Sequence, residues 1–216
     1  MFVSGLVLVA TFYSFCILTI VFLKWFDPPT SSVQIQRRVQ AFVAKKPYSK
    51  EYEPVPMSGI SLSLQHAVVA EEDTRFFQHH GFDWVEVNKV MEQRAETGHV
   101  ARGASTITQQ LVKNLFLTNE RSFLRKGVEA SLVPVMEAIL SKNRILNLYL
   151  NVIEWGPGIY GAQAASRFYY RKDASRAGRE EAARLAAVIP APLHRHPAQM
   201  GEYASEILAR MVTMGW

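Results

Sequence analysis

An all-α domain carried on a single membrane-spanning helix is the architecture the 216-residue sequence predicts, and three observations predict it. The run from Phe2 to Leu23 contains no charged side chain, and a helix needs roughly 20 such residues to cross the hydrocarbon core of a bilayer. Beyond it, capping residues and turn glycines mark off segments with apolar residues at helical spacing, such as Leu124, Val128, Leu132, Val135 and Ile139. Alternating apolar and polar runs, the mark of half-buried strands, are scarce.

The apolar run exceeds the roughly 7–15 residues of a cleavable signal, and Lys24, Trp25, Phe26, Asp27 and two prolines follow it instead of a small-residue cleavage site. Residues 1–27 therefore read as a retained anchor, with Trp25 at the interface. Residues 28–57 read as a juxtamembrane helix and linker. Thr30, Ser31 and Ser32 offer caps for VQIQRRVQAFVAKK, and the prolines and glycine of KPYSKEYEPVPMSG make a loop. The globular domain, 58–216, opens with a helix over ISLSLQHAVVAEED. Its acidic end opposes the helix dipole, and a residue placed against a local rule is a candidate for function. Asp83 and Glu86 form a capping pair for WVEVNKVMEQRAETG, which stops near Gly98. Ser105 is expected to cap the next helix and Ser122 the one through FLRKGVEASLVPVMEAILS. Three more helices fall around RILNLYLN, REEAARLAAVI and EYASEILARMV.

A formal charge of +5 favours an anionic partner: nucleic acid, a phospholipid surface or a phosphorylated substrate. No nucleic-acid-binding module is recognisable, so charge alone supports the first of these. The single cysteine, Cys16, lies inside the apolar run, which excludes an intramolecular disulfide, and no cysteine and histidine cluster has zinc spacing. Lys24, Arg37 and Arg38 follow the span, so the positive-inside count by itself places the main domain in the cytoplasm.

Four islands carry chemistry. In EDTRFFQHHG, Glu72 is a candidate general base or acid, because desolvation beside Phe76 and Phe77 would raise the pKa of a carboxylate. In GASTITQQLVKN, hydroxyls and amides on Ser105, Thr106, Thr108, Gln109 and Gln110, with Lys113, crowd a positive helix end that suits phosphate or sugar oxygens. In RKGVE, Arg125 and Glu129 share a helix face. Arg125 and Lys126 there suit a phosphate, and Glu129 suits a metal or the orientation of a neighbour. The fourth, KNRILNLYLN followed by EWGPGIYGAQAA, reads mostly as packing, with core packing favoured over site lining for Asn151, Glu154 and Tyr160. On the residues alone, general acid or base chemistry at Glu72 beside a phosphate- or sugar-binding helix end, and plain capping, packing and surface ion pairs, all stay open.

The ordered series E-D-x-x-F-x-x-H-x-G (Glu72 to Gly81), G-x-S-T-I-T-Q-Q-L-x-K-N (Gly103 to Asn114), R-K-x-x-E (Arg125 to Glu129) and K-x-x-I-L-x-x-Y-L-N (Lys142 to Asn151) closely resembles the family 51 peptidoglycan glycosyltransferases. The likeness covers roughly Ser58 to Pro192 and departs at Ala104, where a second glycine is usual, and at Arg144 and Asn147, where acids are usual. It implies a lysozyme-like helical fold and polymerisation of lipid II onto a lipid-linked glycan chain, without an organic cofactor. It further implies Glu72 and Glu129 as catalytic residues. Asp73, Phe76, His79, Ser105, Thr106, Gln109, Gln110, Lys113, Asn114, Arg125 and Lys126 would bind substrate. A divalent cation, Mg or Mn, would lie near Glu129 with the substrate diphosphate. The implied location is the bacterial inner membrane, single-pass, with the catalytic domain on the periplasmic side. Neither S-x-x-K nor K-T-G occurs in the sequence, so no transpeptidase activity is expected. The rivals to this resemblance are a muramidase using Glu72 as acid and a membrane scaffold recruiting cell-wall or division proteins. None of the islands lies in the apolar run, and the domain is expected to keep its fold without residues up to about Lys24.

Overall fold

The computed structural model describes residues 2–98, 103–120 and 122–216. The apolar run forms helix α1 (Phe2–Phe22), with mostly exposed apolar side chains in its first half. Its second half behaves differently. Cys16, Ile20 and Leu23 are buried in the core of the domain, and the Tyr13 and Ser131 hydroxyls are 2.7 Å apart. Arg144 then fastens the end of the helix. It donates to the Leu23 and Phe26 carbonyls, each at 2.7 Å, and pairs with Asp27 at 2.9 Å. A basic residue here grips the carbonyl end of the anchor, where a positive charge is favoured.

Helix α2 (Ser32–Val43) is capped by Ser31, and α3 (Leu62–Glu72) by Ser61. Asp83 caps α4 (Trp84–Thr97) through the N–H groups of Val85 and Glu86, and left-handed Gly98 closes it. The remaining helices are α5 (Ile107–Phe116), α6 (Phe123–Ile139), α7 (Lys142–Val152), α8 (Ala162–Tyr170), α9 (Arg179–Ala186) and α10 (Gly201–Thr213). α3 packs on α9 and α10, while α5 lies between α6 and α7. Phe76, Leu111, Leu132, Met136, Tyr149 and Trp155 are fully buried between them.

Three expectations are corrected. Thr106, not Ser105, caps α5, because Gln109 sits three residues after Thr106 and closes a capping box from its side chain to the Thr106 N–H. Ser122 precedes α6 but its side chain makes no capping bond. The fourth island holds more than packing. Its tail builds two strands of a small sheet, β2 (Glu154–Gly156) and β3 (Ile159–Tyr160), and then α8. β3 pairs antiparallel with β2 and parallel with β1 (Glu51–Tyr52) from the linker. These strands are too short for any alternation to show in the sequence.

Candidate active site

The carboxyl end of α3 and the amino end of α5 meet through Asp73. One Asp73 oxygen accepts the Ile107 N–H at 3.0 Å, and the carboxylate also meets His79 Nε2 at 2.9 Å. Thr106 Oγ1 donates to the Gly81 carbonyl at 2.7 Å. Gly81 has φ +89°, and a Cβ there would stand 2.4 Å from Val133 Cγ1, so only glycine brings this turn against α6. Asp73, His79 and Asp83 form a buried knot, with ligand-type atoms within 4.8 Å of one another. The two carboxylates already serve His79, backbone N–H groups and Arg75, so the knot fastens helix ends.

This knot fixes Glu72, the last residue of α3, beside α5. Gln110 Nε2 donates to Glu72 Oε2 at 2.6 Å, and the Tyr149 hydroxyl donates to Gln110 Oε1 at 2.9 Å. Glu72 borders a small recess with Asp73, Glu86 and Ser105. Ser105 and Gln110 lead from there into a cleft of about 520 Å³. Lys113, Arg125, Lys126 and Glu129 line that cleft, as do Arg37 and Glu154.

Glu129 is 2% exposed and bound by two cations. Arg125 reaches one oxygen at 2.7 Å and Lys126 the other. Lys113 has its pKa lowered below the ordinary lysine value, first by burial and then by Arg125 and Lys126, with Glu129 and Glu72 opposing the shift. Three cations thus share a cleft wall with one buried carboxylate, leaving a local excess of positive charge that suits a polyanion. Both Glu129 oxygens are committed to these cations, so the wall is not a metal cage made of protein ligands.

The structure brings Glu72, Ser105, Gln110, Lys113, Arg125, Lys126 and Glu129 together around connected cavities, with Gln109 and Asn114 on the cleft wall. It does not bring all the expected binding residues there. Phe76 is fully buried, and His79 is turned to Asp73; neither lines the cleft or the recess. Asp73 and Thr106 border the recess, but their polar atoms are committed to the backbone contacts above. Thr108 is buried and bonds Glu137, away from the cleft. Sequence reasoning missed Arg37 and favoured packing over lining for Glu154, which lines the cleft. Arg37 Nη2 meets Glu154 Oε2 at 2.9 Å, joining the juxtamembrane helix to β2 at the cleft. Burial raises the Glu154 pKa, and Arg37 opposes that rise. No local pattern marks Arg37, because its partner lies 117 residues away.

The sequence profile of a family described as transglycosylase matches residues 38–213. The chain belongs to the transglycosylase family. Its lysozyme-like helical fold and its class of chemistry, glycosyl transfer, follow from that membership. A protein of Aromatoleum aromaticum named biosynthetic peptidoglycan transglycosylase is 44% identical, covering 96% of this chain and 93% of the relative. One of the same name from Pseudomonas aeruginosa is 38% identical over 95% of this chain and 88% of its own length. Another, from Pseudomonas putida, is 45% identical over 82% and 74%. The match begins at residue 38 inside α2, so α1 stands outside it. α1 is long and apolar enough to anchor the transglycosylase in a membrane.

Proposed function

We propose that this transglycosylase is a membrane-anchored peptidoglycan glycosyltransferase that polymerises lipid II, drawing on a donor chain linked to a polyprenyl diphosphate. The observation that carries this reading is the gathering of Lys113, Arg125 and Lys126 on one cleft wall, with Glu72 next to it through Gln110. A departing diphosphate needs compensating positive charge, whereas a glycosidic oxygen in polymeric glycan leaves on a proton. The cations therefore favour the polymerase over a muramidase. The names of the relatives support the same substrate class.

In this mechanism Glu72 accepts the proton of the acceptor 4-hydroxyl. The freed oxygen attacks the donor anomeric carbon on the face opposite the diphosphate, forming a C–O bond as the anomeric bond to the diphosphate breaks. The electron pair leaves on the diphosphate, where Lys113 and Arg125 meet the developing charge with help from Lys126. The α-linked donor is inverted to a β-1,4 product. Glu129 holds Arg125 and Lys126 in position. Ser105, Gln109 and Asn114 offer hydrogen bonds to sugar or phosphate oxygens from the cleft wall. A divalent cation, Mg or Mn, would enter on the diphosphate itself and supply further charge neutralisation there. On this reading the domain works on the periplasmic side of the inner membrane, without transpeptidase activity.

The test is incubation of the purified full-length protein with labelled lipid II in detergent. Polymer that lysozyme degrades is expected. Unchanged lipid II, together with release of fragments from preformed glycan, would favour the muramidase.

A further inference from the structure

We infer that the buried hydroxyl of Tyr149 is a positioning group for Glu72, acting through the side-chain amide of Gln110. The inference rests on the reading of Glu72 as the base. Tyr149 comes from α7, Gln110 from α5 and Glu72 from α3, so three helices meet in one hydrogen-bonded line.

An amide side chain has two chemically opposite ends, and which end faces the carboxylate decides what the carboxylate feels. Here every partner selects the same orientation. The Nε2 end faces Glu72 Oε2 at 2.6 Å and the Ser105 carbonyl at 3.5 Å, both acceptors. The Oε1 end faces the Tyr149 hydroxyl, a donor, at 2.9 Å. Turning the amide over would aim Oε1 at the carboxylate, which is tolerable only when the carboxyl carries a proton. The observed orientation serves the ionised form, the one that accepts a proton from an attacking hydroxyl.

Tyr149 is suited to holding that orientation. It is fully buried on the border of the cleft, where packing restrains the ring. Burial, and then the negative charges of Glu72, Asp73 and Glu71, push its pKa well above that of an ordinary tyrosine, which keeps the hydroxyl a donor at working pH. Among the described residues, the charged groups around Glu72 include Asp73 beside it, Lys113 from α5, and Asp83 and Glu86 from the start of α4 on the recess. Glu71 is turned to Arg210 of α10. Among the described residues the Tyr149 hydroxyl donates to the Gln110 amide, not to a carboxylate.

The test uses the full-length protein in detergent. Tyr149→Phe removes one oxygen and keeps the ring, so folding is retained, and the acid limb of the polymerisation pH profile should move up by about one unit. That is the scale of Glu72 losing its hydrogen bond from the Gln110 amide once the amide is free to turn. In a Gln110→Met background the same change should add nothing, because the hydroxyl then has no amide to hold. A titration of the Glu72 side-chain carboxyl by carbon-13 NMR, assigned by its loss in Glu72→Gln, should show the same upward shift in Tyr149→Phe. An unmoved titration, or an effect of Tyr149→Phe that persists in full beside Gln110→Met, would overturn the inference. If Glu72→Gln polymerises at the wild-type rate, the base assignment fails, and the carboxyl titration still decides whether Tyr149 acts on Glu72.

Discussion

Glu72 and Glu129 stand at two ends of one connected site, and the protein holds them in opposite ways. Glu129 lies inside α6, buried, with a cation on each oxygen. Glu72 lies at the end of α3 and receives a neutral amide that is itself held by a tyrosine. The first arrangement saturates the carboxylate and fixes Arg125 and Lys126. The second orients a carboxylate with a neutral donor. On the proposed mechanism, identical side chains thus take different duties from their neighbours: one organises positive charge and the other accepts a proton.

The sharpest way to break this comparison is Glu72→Gln, which keeps size and removes the proton acceptor. Polymerisation is expected to fall by about 10²–10⁴-fold, with unchanged circular dichroism. Near-full activity in a folded variant would remove Glu72 from the mechanism.

The next effect concerns the cation wall. Lys113→Ala and Arg125→Ala should each slow turnover by an amount comparable to losing one oxyanion donor, about 3–4 kcal/mol. Arg125→Lys should recover only part of that, since a bidentate fork becomes a point charge. Wild-type rates in both alanine variants would place the leaving-group contact elsewhere.

A smaller effect is pH-dependent. The pKa of Lys113 is lowered by burial, so its ammonium is present at low pH and is lost as pH rises through a value beneath that of ordinary lysine. Activity that needs the charge should decline on the alkaline side earlier than a normal lysine would dictate, and Lys113→Arg should move that limb upward. For stability, the unfolded chain holds the proton more tightly. The cost of burying the charge is therefore complete below the lowered value and is relieved as pH rises toward the ordinary one. A pH-rate profile of the two proteins reads the first effect, and thermal melts across the same range read the second.

The smallest effect on chemistry is expected from removing residues 2–24. The cleft residues remain, but Cys16, Ile20 and Leu23 leave the core and Arg144 loses its Leu23 acceptor. The truncated protein should polymerise lipid II in detergent with a lowered melting temperature. An unchanged melting temperature would show that α1 contributes no packing to the domain.

Much of this organisation is legible in the sequence, because caps and turns are local. Ser31 before α2, Asp83 before α4 and Gly98 after it act through neighbours within a few residues. Even the misplaced cap of α5 was locally encoded: Thr106 has Gln109 at the third helical position, whereas Ser105 has Thr108 there. The polar surplus of Gly103 to Asn114 was harder to apportion. Thr106, Thr108 and Gln109 close bonds inside the fold, and Lys113 and Gln110 face the cleft. Composition cannot separate these duties, since the partners, Gly81, Glu137 and Glu72, come from other helices and turns. Arg37 and Glu154 were obscured for the same reason, and so was the role of Tyr149 in orienting Gln110.

The most direct measurement is a single-turnover comparison of Glu72→Gln and Glu129→Gln with labelled lipid II, made alongside substrate-binding measurements on both. If the two carboxylates differ as their surroundings require, Glu72→Gln loses the chemical step while holding substrate. Glu129→Gln, with Arg125 and Lys126 loosened, binds substrate more weakly and stays at least about tenfold faster in the bond-forming step. A Glu129→Gln variant as slow as Glu72→Gln at saturating substrate, or slower, would contradict the division between a proton acceptor and an organiser of charge.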